Sequence, residues 1–170
     1  MQKTALILGA HGRFGHNAAN AFRNAGWQVE TFDRARDDLP TKMARASITV
    51  MGWNPPYHQW ASQTLPLHRK VARTAAETGS TVIIPGNVYV FGPDAPRPWG
   101  PDTPQLADNP LGLLRREAEA AYREAGARAI LLRCGDFIDT QPSENWFEAY
   151  LAKTARKGRM SYPGNPDAAH

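Results

Sequence analysis

LILGAHGRFG, residues 6–15, is the stretch that decides the fold of this chain. The apolar run Leu6–Leu8 has the pattern of a buried strand, three glycines follow it, and a helix-like stretch continues from His16 to Asn24. α/β proteins bind the diphosphate of a dinucleotide with such a strand, glycine turn and helix, because backbone N–H groups and the dipole at the helix start attract an anion. The stretch therefore predicts a dinucleotide-binding unit.

Each glycine of this loop has its own predicted task. Gly9 allows the tight turn after the strand, Gly12 allows the backbone to approach phosphate, and Gly15 allows the helix to pack closely on the strand. A strand–turn–helix without a ligand is the alternative, since glycine-rich turns are common. A second predicted strand with an acid at its end favours the ligand. The predicted contacts of the loop are Gly9, His11, Gly12, Arg13, Phe14 and Gly15.

The choice of coenzyme depends on the end of the second predicted strand. Asp33 lies about 20 residues beyond the glycines, where an acid suits the adenosine ribose hydroxyls and repels a 2′-phosphate. Arg34 beside it, and Arg13 within the loop, could instead hold that phosphate with forked donors. We therefore expect NAD or NADP as the cofactor, with NAD favoured.

The rest of the chain alternates strand and helix patterns, which indicates a parallel sheet with helices on both faces. The predicted strands are 3–8, 27–32, 46–51, 81–85 and 128–133, and the predicted helices are 13–25, 38–45, 58–78, 110–125 and 143–157. The short gap after Arg34 leaves room for one helix, so we expect the strand order 2-1-3-4-5. We expect an α/β fold, a Rossmann-like doubly wound parallel sheet in three layers with about five or six strands. The predicted domain is a single NAD(P)-binding one over 1–170.

Bulk composition narrows the function classes. The net charge is +4, but the basic residues are scattered, so we expect a solvated surface and no nucleic-acid partner. Cys134 is the only cysteine, which excludes an internal disulfide and favours a reducing compartment. No apolar stretch approaches the roughly 18 residues of a membrane span, and the scattered histidines have no metal-ligand spacing. We expect a cytoplasmic protein with no metal and no membrane.

With NVYVFG at residues 87–92, the chain resembles the extended or atypical short-chain dehydrogenases/reductases, the NAD(P)-dependent epimerase/dehydratase group. The resemblance runs from the glycine loop through GWNPPY at 52–57 to LRCGDF at 132–137. Members of the group use a serine, a tyrosine and a lysine four residues later. Their tyrosine deprotonates the substrate hydroxyl, and their lysine lowers its pKa and holds the nicotinamide ribose. The resemblance implies further cofactor contacts from Trp53, Asn54, Pro55, Gly86, Asn87 and Arg115.

All three catalytic positions of this group are replaced. Asn87 stands at the serine position, and LGLLR at 111–115 aligns with Tyr-x-x-x-Lys, so Leu111 replaces the tyrosine and Arg115 the lysine. Leucine cannot exchange a proton, and arginine stays protonated, so it could hold ribose hydroxyls but cannot act as a base. Tyr89 is the candidate substitute acid, because it follows Asn87 by two residues on the same face of a predicted extended segment. A core position at a strand end is the alternative for Tyr89.

The predicted catalytic residues are therefore Tyr89, Asn87 and Arg115. His58, beside Tyr57, is a further candidate for moving a proton, and a polar residue opening a helix is the alternative. The resemblance implies an oxidoreductase-like or epimerase/dehydratase-like protein that acts on a small hydroxyl, carbonyl or sugar-type substrate with altered catalytic residues. The missing catalytic pair leaves a second function open, an inactive NAD(P)-binding redox sensor or regulatory module.

Extended members of the group continue beyond the proline and glycine at 163–164 into a C-terminal substrate domain. We therefore expect 143–170 to be the start of a truncated substrate-binding region. Trp60, Trp146 and Phe147 are expected to serve packing or an interface, and a homodimer is a further expectation.

Overall fold

The computed structural model describes residues 3–135, 137, 148 and 151–160. The chain divides into two units, Met1–Gly135 and Asp136–His170. In the second unit, the described stretch contains the 3-10 helix Ala152–Lys157. The predicted helix 143–157 lies mostly outside the described residues, as does the expected substrate-binding region 143–170, and the described end of that helix is 3-10 rather than α. A single domain over 1–170 stays a prediction.

Five parallel strands form one sheet in the first unit. They are β1 Thr4–Leu8, β2 Gln28–Thr31, β3 Ile48–Met51, β4 Thr81–Gly86 and β5 Ala129–Arg133. Their order in the sheet is β2-β1-β3-β4-β5, and every neighbouring pair is parallel. The predicted α/β class and the predicted strand order are both confirmed.

Four helices connect the strands, and the chemistry of their ends explains where they begin and stop. They are α1 Arg13–Asn24, α2 Leu39–Ala44, α3 Trp60–Thr78 and α4 Pro110–Glu124, with a 3-10 turn Tyr57–Gln59 before α3. Asp38 caps α2 by accepting the N–H of Thr41 at 3.0 Å, and Asn109 caps α4 by accepting the N–H of Gly112 at 2.8 Å. Gly79 ends α3 with a φ of +73°. Predicted and observed bounds of these strands and helices agree to within two residues.

Helices cover both faces of the sheet, and each face has its own apolar core. Ala19 of α1 packs on one face with Ala5, Ile7 and Val50. On the other face α2, α3 and α4 pack on the strands, through Leu6, Leu8, Leu39, Met43, Met51, Val71, Ala72, Ala75, Val82, Ile84 and Tyr122. Residues of β1 alternate between the two cores because successive side chains of a strand point to opposite faces. The three predicted layers are therefore present.

A buried polar pair joins α3 to α4. His68 Nδ1 lies 3.1 Å from the hydroxyl oxygen of Tyr122, and the two residues are 3% and 1% exposed. Burial lowers the pKa of His68 to about 3, because the imidazolium would lose its hydration, and the nearby positive charge of Arg115 acts in the same direction. His68 is therefore neutral in the folded protein at physiological pH.

The free energy of unfolding should fall as the pH drops from 6.5 toward about 3, because unfolded His68 binds a proton that the folded residue does not. One such group contributes a slope of up to about 1.4 kcal/mol per pH unit. Denaturant unfolding between pH 4 and 7 measures this slope, which should shrink in His68→Gln. The matched control His58→Gln replaces an exposed histidine and should keep the slope. Equal slopes for wild type and His68→Gln would contradict a neutral buried imidazole.

Candidate functional site

Three glycines bring the ends of β1 and β3 and the first turn of α1 into backbone contact. A Cβ atom on Gly15 would overlap the carbonyl oxygen of Gly9, and one on Gly9 would lie 2.6 Å from the carbonyl oxygen of Gly52. Gly9 also has a φ of +73°, a conformation that residues with side chains rarely adopt. The tight turn predicted at Gly9 and the close packing predicted at Gly15 are both seen.

Gly12 differs from its two neighbours in the motif. A Cβ atom there would lie 3.4 Å from the Gly9 carbonyl oxygen, an ordinary contact, and the residue is exposed with a φ of −76°. Packing within the protein therefore does not require glycine at this position. Gly12 is also the N-cap of α1, with no side-chain hydrogen bond at the cap and no acidic residue in the first turn.

The other predicted loop residues differ in their surroundings. His11 is exposed, whereas Arg13 and Phe14 are half-buried. The Phe14 side chain packs against the apolar core on the α1 face of the sheet. A ligand contact from Phe14 would therefore come from its backbone rather than from its ring.

After β2, an acid and a neighbouring arginine have different tasks. One carboxylate oxygen of Asp33 accepts a backbone N–H of its own turn at 2.9 Å, and the other lies 3.0 Å from Arg36 Nε. The Arg34 guanidinium instead lies over the ring of Trp53, 5.2 Å from its centroid. Trp53 is itself close to Gly9, since its Cδ1 would be 3.1 Å from a Cβ atom there. Arg34 therefore places a cation near the glycine loop, while Arg36 balances the charge of Asp33.

Two tyrosines connect the loops that follow β3 and β4. Tyr57 stacks on Trp60 with ring centroids 4.6 Å apart, and Trp60 Nε1 donates to the carbonyl oxygen of Pro55 at 2.8 Å. The hydroxyl oxygens of Tyr57 and Tyr89 are 3.5 Å apart. Asn54, the remaining predicted contact of this loop, is exposed. Trp60 is buried, in agreement with its expected packing role.

The prediction that Asn87 and Tyr89 share one face of an extended segment is wrong. β4 ends at Gly86, and the next residues form a turn in which the N–H of Phe91 donates to the carbonyl oxygen of Val88 at 3.2 Å. The side-chain oxygen of Asn87 accepts the N–H of Tyr89 at 3.1 Å, the local bond with which asparagine turns a chain. Tyr89 nevertheless remains at this edge of the sheet, half in solvent.

Arg115 is buried, unlike the other candidate catalytic residues. It is 5% exposed, its Nη2 donates to the carbonyl oxygen of Pro85 at 3.0 Å, and its guanidinium lies 5.8 Å from the ring centroid of Trp60. Its Nε has no hydrogen-bond partner among the described residues, and burial lowers the pKa of Arg115. None of the described carboxylates forms an ion pair with it. Arg115 therefore ties α4 to the end of β4, and its contact with a ligand stays a prediction.

Sequence reasoning missed Arg133, which organises the chain after β4. Its two terminal nitrogens donate to the two carboxylate oxygens of Glu119 at 2.6 and 2.8 Å, and Nη1 also donates to the carbonyl oxygen of Asn87 at 2.9 Å. The Glu119 side chain is 1% exposed. A Cβ atom on Gly86 would lie 3.0 Å from Arg133 Nη1, so this predicted cofactor residue has a packing task. The sequence signal that could have revealed this ion pair is Glu119, a charged residue on the buried side of α4.

Almost all of the predicted site residues therefore lie at one edge of the sheet, in the segments that follow the carboxyl ends of β1 to β4. Arg115 is instead buried on α4, where it contacts Pro85 of β4. No group of three His, Cys, Asp or Glu side chains within the described ranges could hold a metal ion. No helix in those ranges is both long enough and apolar enough to cross a membrane.

No protein-family model matches the sequence, and no curated protein matches it either. Solved structures do match. A short-chain dehydrogenase/reductase superfamily protein from Agrobacterium tumefaciens with bound NAD has 16% identity and a TM-score of 0.68, over 91% of this chain and 59% of that chain. The dTDP-4-dehydrorhamnose reductase from Bacillus anthracis in complex with NADP has 16% identity and a TM-score of 0.69, over 92% and 61%. The Bordetella bronchiseptica enzyme WbmG in complex with NAD and UDP has 15% identity and a TM-score of 0.74, over 95% and 62%.

The fold matches that of these short-chain dehydrogenase/reductase structures. Its structural neighbours are NAD(P)-dependent epimerases, dehydratases and reductases of low sequence identity. The family resemblance read from the sequence is confirmed at the level of fold. This chain spans between 59% and 62% of the length of the three neighbours described above.

Serine substitutions should separate the two kinds of glycine in the loop. Gly15→Ser should destabilise the fold by roughly 1–3 kcal/mol, the usual cost of overpacking, because its Cβ meets backbone that cannot move aside. Gly12→Ser should be neutral or slightly stabilising, since serine is a favoured N-cap residue. Chemical denaturation of both variants measures the difference. Equal stabilities would show that β1 and α1 are not in backbone contact.

Proposed function

We propose that this chain binds NAD or NADP along the carboxyl edge of the sheet and acts as an oxidoreductase or epimerase/dehydratase with altered catalytic residues. The contrast within the glycine loop carries the proposal. Packing requires glycine at Gly9 and Gly15, whereas Gly12 is exposed and has room for a side chain. A diphosphate that approaches the backbone at the start of α1 provides the reason for glycine there.

The start of α1 suits the diphosphate because its own N-cap and first turn supply no competing anionic or capping side chain. No side chain caps this helix and no acid lies in its first turn, so the positive end of the helix dipole is available to an anion. At the adenosine end, Asp33 would accept a ribose hydroxyl and Arg34 would donate to a 2′-phosphate. Because Arg36 already balances Asp33, this turn is compatible with both coenzymes.

The chain's part in the chemistry would be proton transfer. A bound nicotinamide coenzyme would donate the hydride in reduction and accept it in oxidation. Tyr89 would give its phenolic proton to the substrate oxygen during reduction and take it back during oxidation. Tyr57, whose hydroxyl is 3.5 Å from that of Tyr89 and whose side chain is well exposed, would exchange this proton with water. Leu111 can take no part in this step.

A second candidate function is a redox sensor that binds NAD(P) without turnover. The burial of Arg115 and its bond to Pro85 favour this function, because the residue at the lysine position of the superfamily is engaged in holding β4. Leucine at the tyrosine position favours it as well. The two functions share the coenzyme site and differ only in whether a substrate reacts.

Gly12→Asp should abolish dinucleotide binding and leave the fold intact. Aspartate is a favoured N-cap residue, but its carboxylate would occupy the place of the diphosphate and repel it. Titration of NAD⁺ and NADP⁺ against the fluorescence of the five tryptophans, together with a melting curve, measures both effects. Gly100→Asp adds the same charge at an exposed glycine with open space around it and should bind as wild type does. Unchanged affinity in Gly12→Asp would overturn the proposed coenzyme site.

Tyr89→Phe should lower turnover by about 10²- to 10⁴-fold, the range for loss of a general acid, with no change in the Kd of the coenzyme. Tyr57→Phe should cost less, because only the exchange with water is lost. Absorbance of the reduced coenzyme, followed with a panel of aldehydes, ketones and keto sugars, is the assay. Full activity in Tyr89→Phe would assign the proton to another group. A wild-type protein that binds coenzyme but converts no compound of the panel would support the sensor.

A further inference from the structure

An open cavity of about 330 Å³ lies between the loop after β4 and the start of α4, beside Tyr89. This volume lies at the lower end of the range for small-molecule sites. The lining is mostly apolar and carries one cation. The residues that matter for its chemistry are Val88, Tyr89, Pro93, Arg97, Trp99 and Leu111.

An aromatic stack positions the single cation of this cavity. The Arg97 guanidinium lies 5.0 Å from the ring centroid of Trp99, and Trp99 stacks on Phe91 with centroids 4.9 Å apart. Arg133 lies 5.1 Å from the centroid of Phe91 and is anchored by its two bonds to Glu119. Arg97 is exposed, but the stack beneath it rests on the partly exposed Arg133, which the buried carboxylate of Glu119 holds.

Charge balance distinguishes the two arginines of this stack. Glu119 neutralises Arg133, whereas none of the described carboxylates forms an ion pair with Arg97. The cavity therefore has one uncompensated positive charge at its rim and a predominantly apolar interior. A ligand that complements both features has an apolar body and one anionic group.

Two of the lining residues connect the cavity with the proposed reaction. Tyr89 is the proposed proton donor, and Leu111 stands at the position of the superfamily's tyrosine. A ligand held in the cavity would thus lie beside the group that supplies the proton. An apolar side chain at position 111 would add to the burial of that ligand rather than react with it.

We infer that this cavity binds the substrate of the proposed reaction, and that the substrate is a small, mostly apolar hydroxy or oxo acid whose carboxylate is held by Arg97. This inference rests on the proposed function. A guanidinium matches a carboxylate with two parallel hydrogen bonds, and Val88, Pro93 and Trp99 would shield one side of the apolar body from water. A nucleoside diphosphate sugar, with two phosphates and many hydroxyls, does not match this mostly apolar lining.

The reaction balances with the coenzyme as the only co-reactant. During reduction, the carbonyl carbon of the oxo acid receives a hydride from the reduced coenzyme, and its oxygen takes the proton of Tyr89. The products are the hydroxy acid and the oxidised coenzyme, and Tyr89 regains a proton from water through Tyr57.

The test titrates 2-oxo acids into the protein saturated with oxidised coenzyme, where no turnover occurs. Pyruvate, 4-methyl-2-oxopentanoate and phenylpyruvate are the probes, each compared with its uncharged methyl ester. We expect affinity to rise with apolar size and to fall about tenfold or more in the ester, through loss of a charge-assisted hydrogen bond. Arg97→Gln should weaken binding of the acid by a similar factor and leave the ester unchanged. Arg69→Gln, on the exposed side of α3, is the control.

A matched pair of leucines tests whether the acid binds in this cavity. Leu111 and Leu113 are both 41% exposed on α4, but only Leu111 is among the lining residues. Leu111→Trp should fill the cavity and abolish binding of the acid, whereas Leu113→Trp should bind as wild type does. Both variants should keep the coenzyme affinity of wild type.

Each outcome decides between the two proposals. If the wild-type protein does not bind the coenzyme, the proposed function itself is refuted. Intact coenzyme binding would refute only this inference if any of three results followed: acid and ester bind equally, Arg97→Gln has no effect, or Leu111→Trp binds the acid as before. Tight binding of a UDP-sugar with no binding of the oxo acids would also overturn it.

Discussion

Backbone contact between β1 and α1 is the constraint on which the arrangement of the candidate site depends. The carbonyl oxygen of Gly9 occupies the volume that a side chain at Gly15 would need, and Gly52 gives the same close approach to β3. Because these three residues lack Cβ atoms, α1 begins directly at the carboxyl edge of the sheet. Its uncapped start then lies beside the loops that follow the neighbouring strands, as ligand sites at the edges of open α/β sheets require.

Local patterns were enough to predict the sheet, but not the long loop after β4. Strand order followed from the short connection after Arg34. The stretch Val88–Phe91 is β-branched and aromatic, which favours a strand, yet the Asn87 side chain turns the chain there. Asp33 was predicted as a cofactor residue from its position at the end of β2 alone. Residue spacing does not reveal that its carboxylate also binds the N–H of Ala35 and the side chain of Arg36.

The ion pair between Arg133 and Glu119 contributes more to position than to stability. Burying the Glu119 carboxylate costs several kcal/mol in desolvation, which its attraction to the partly exposed Arg133 does little more than offset. The ion pair positions neighbouring groups, because the Arg133 guanidinium also donates to the carbonyl oxygen of Asn87 and lies against the ring of Phe91. Residues 119 and 133 are on different elements, so the pair could not be deduced from neighbouring residues. It fixes the start of the loop that carries Tyr89.

The replaced residues together move the proposed chemistry from a helix to a loop. In the family that the sequence resembles, the tyrosine and the lysine are four residues apart, and the aligned positions on α4 hold Leu111 and the buried Arg115. A guanidinium is planar and permanently charged, so at this position it can hold a strand-end carbonyl but cannot exchange a proton. Tyr89 has no helix to orient it and depends on the Asn87 turn and on Tyr57. Proton transfer by Tyr89 would therefore depend on the turn at Asn87, whose carbonyl oxygen Arg133 holds.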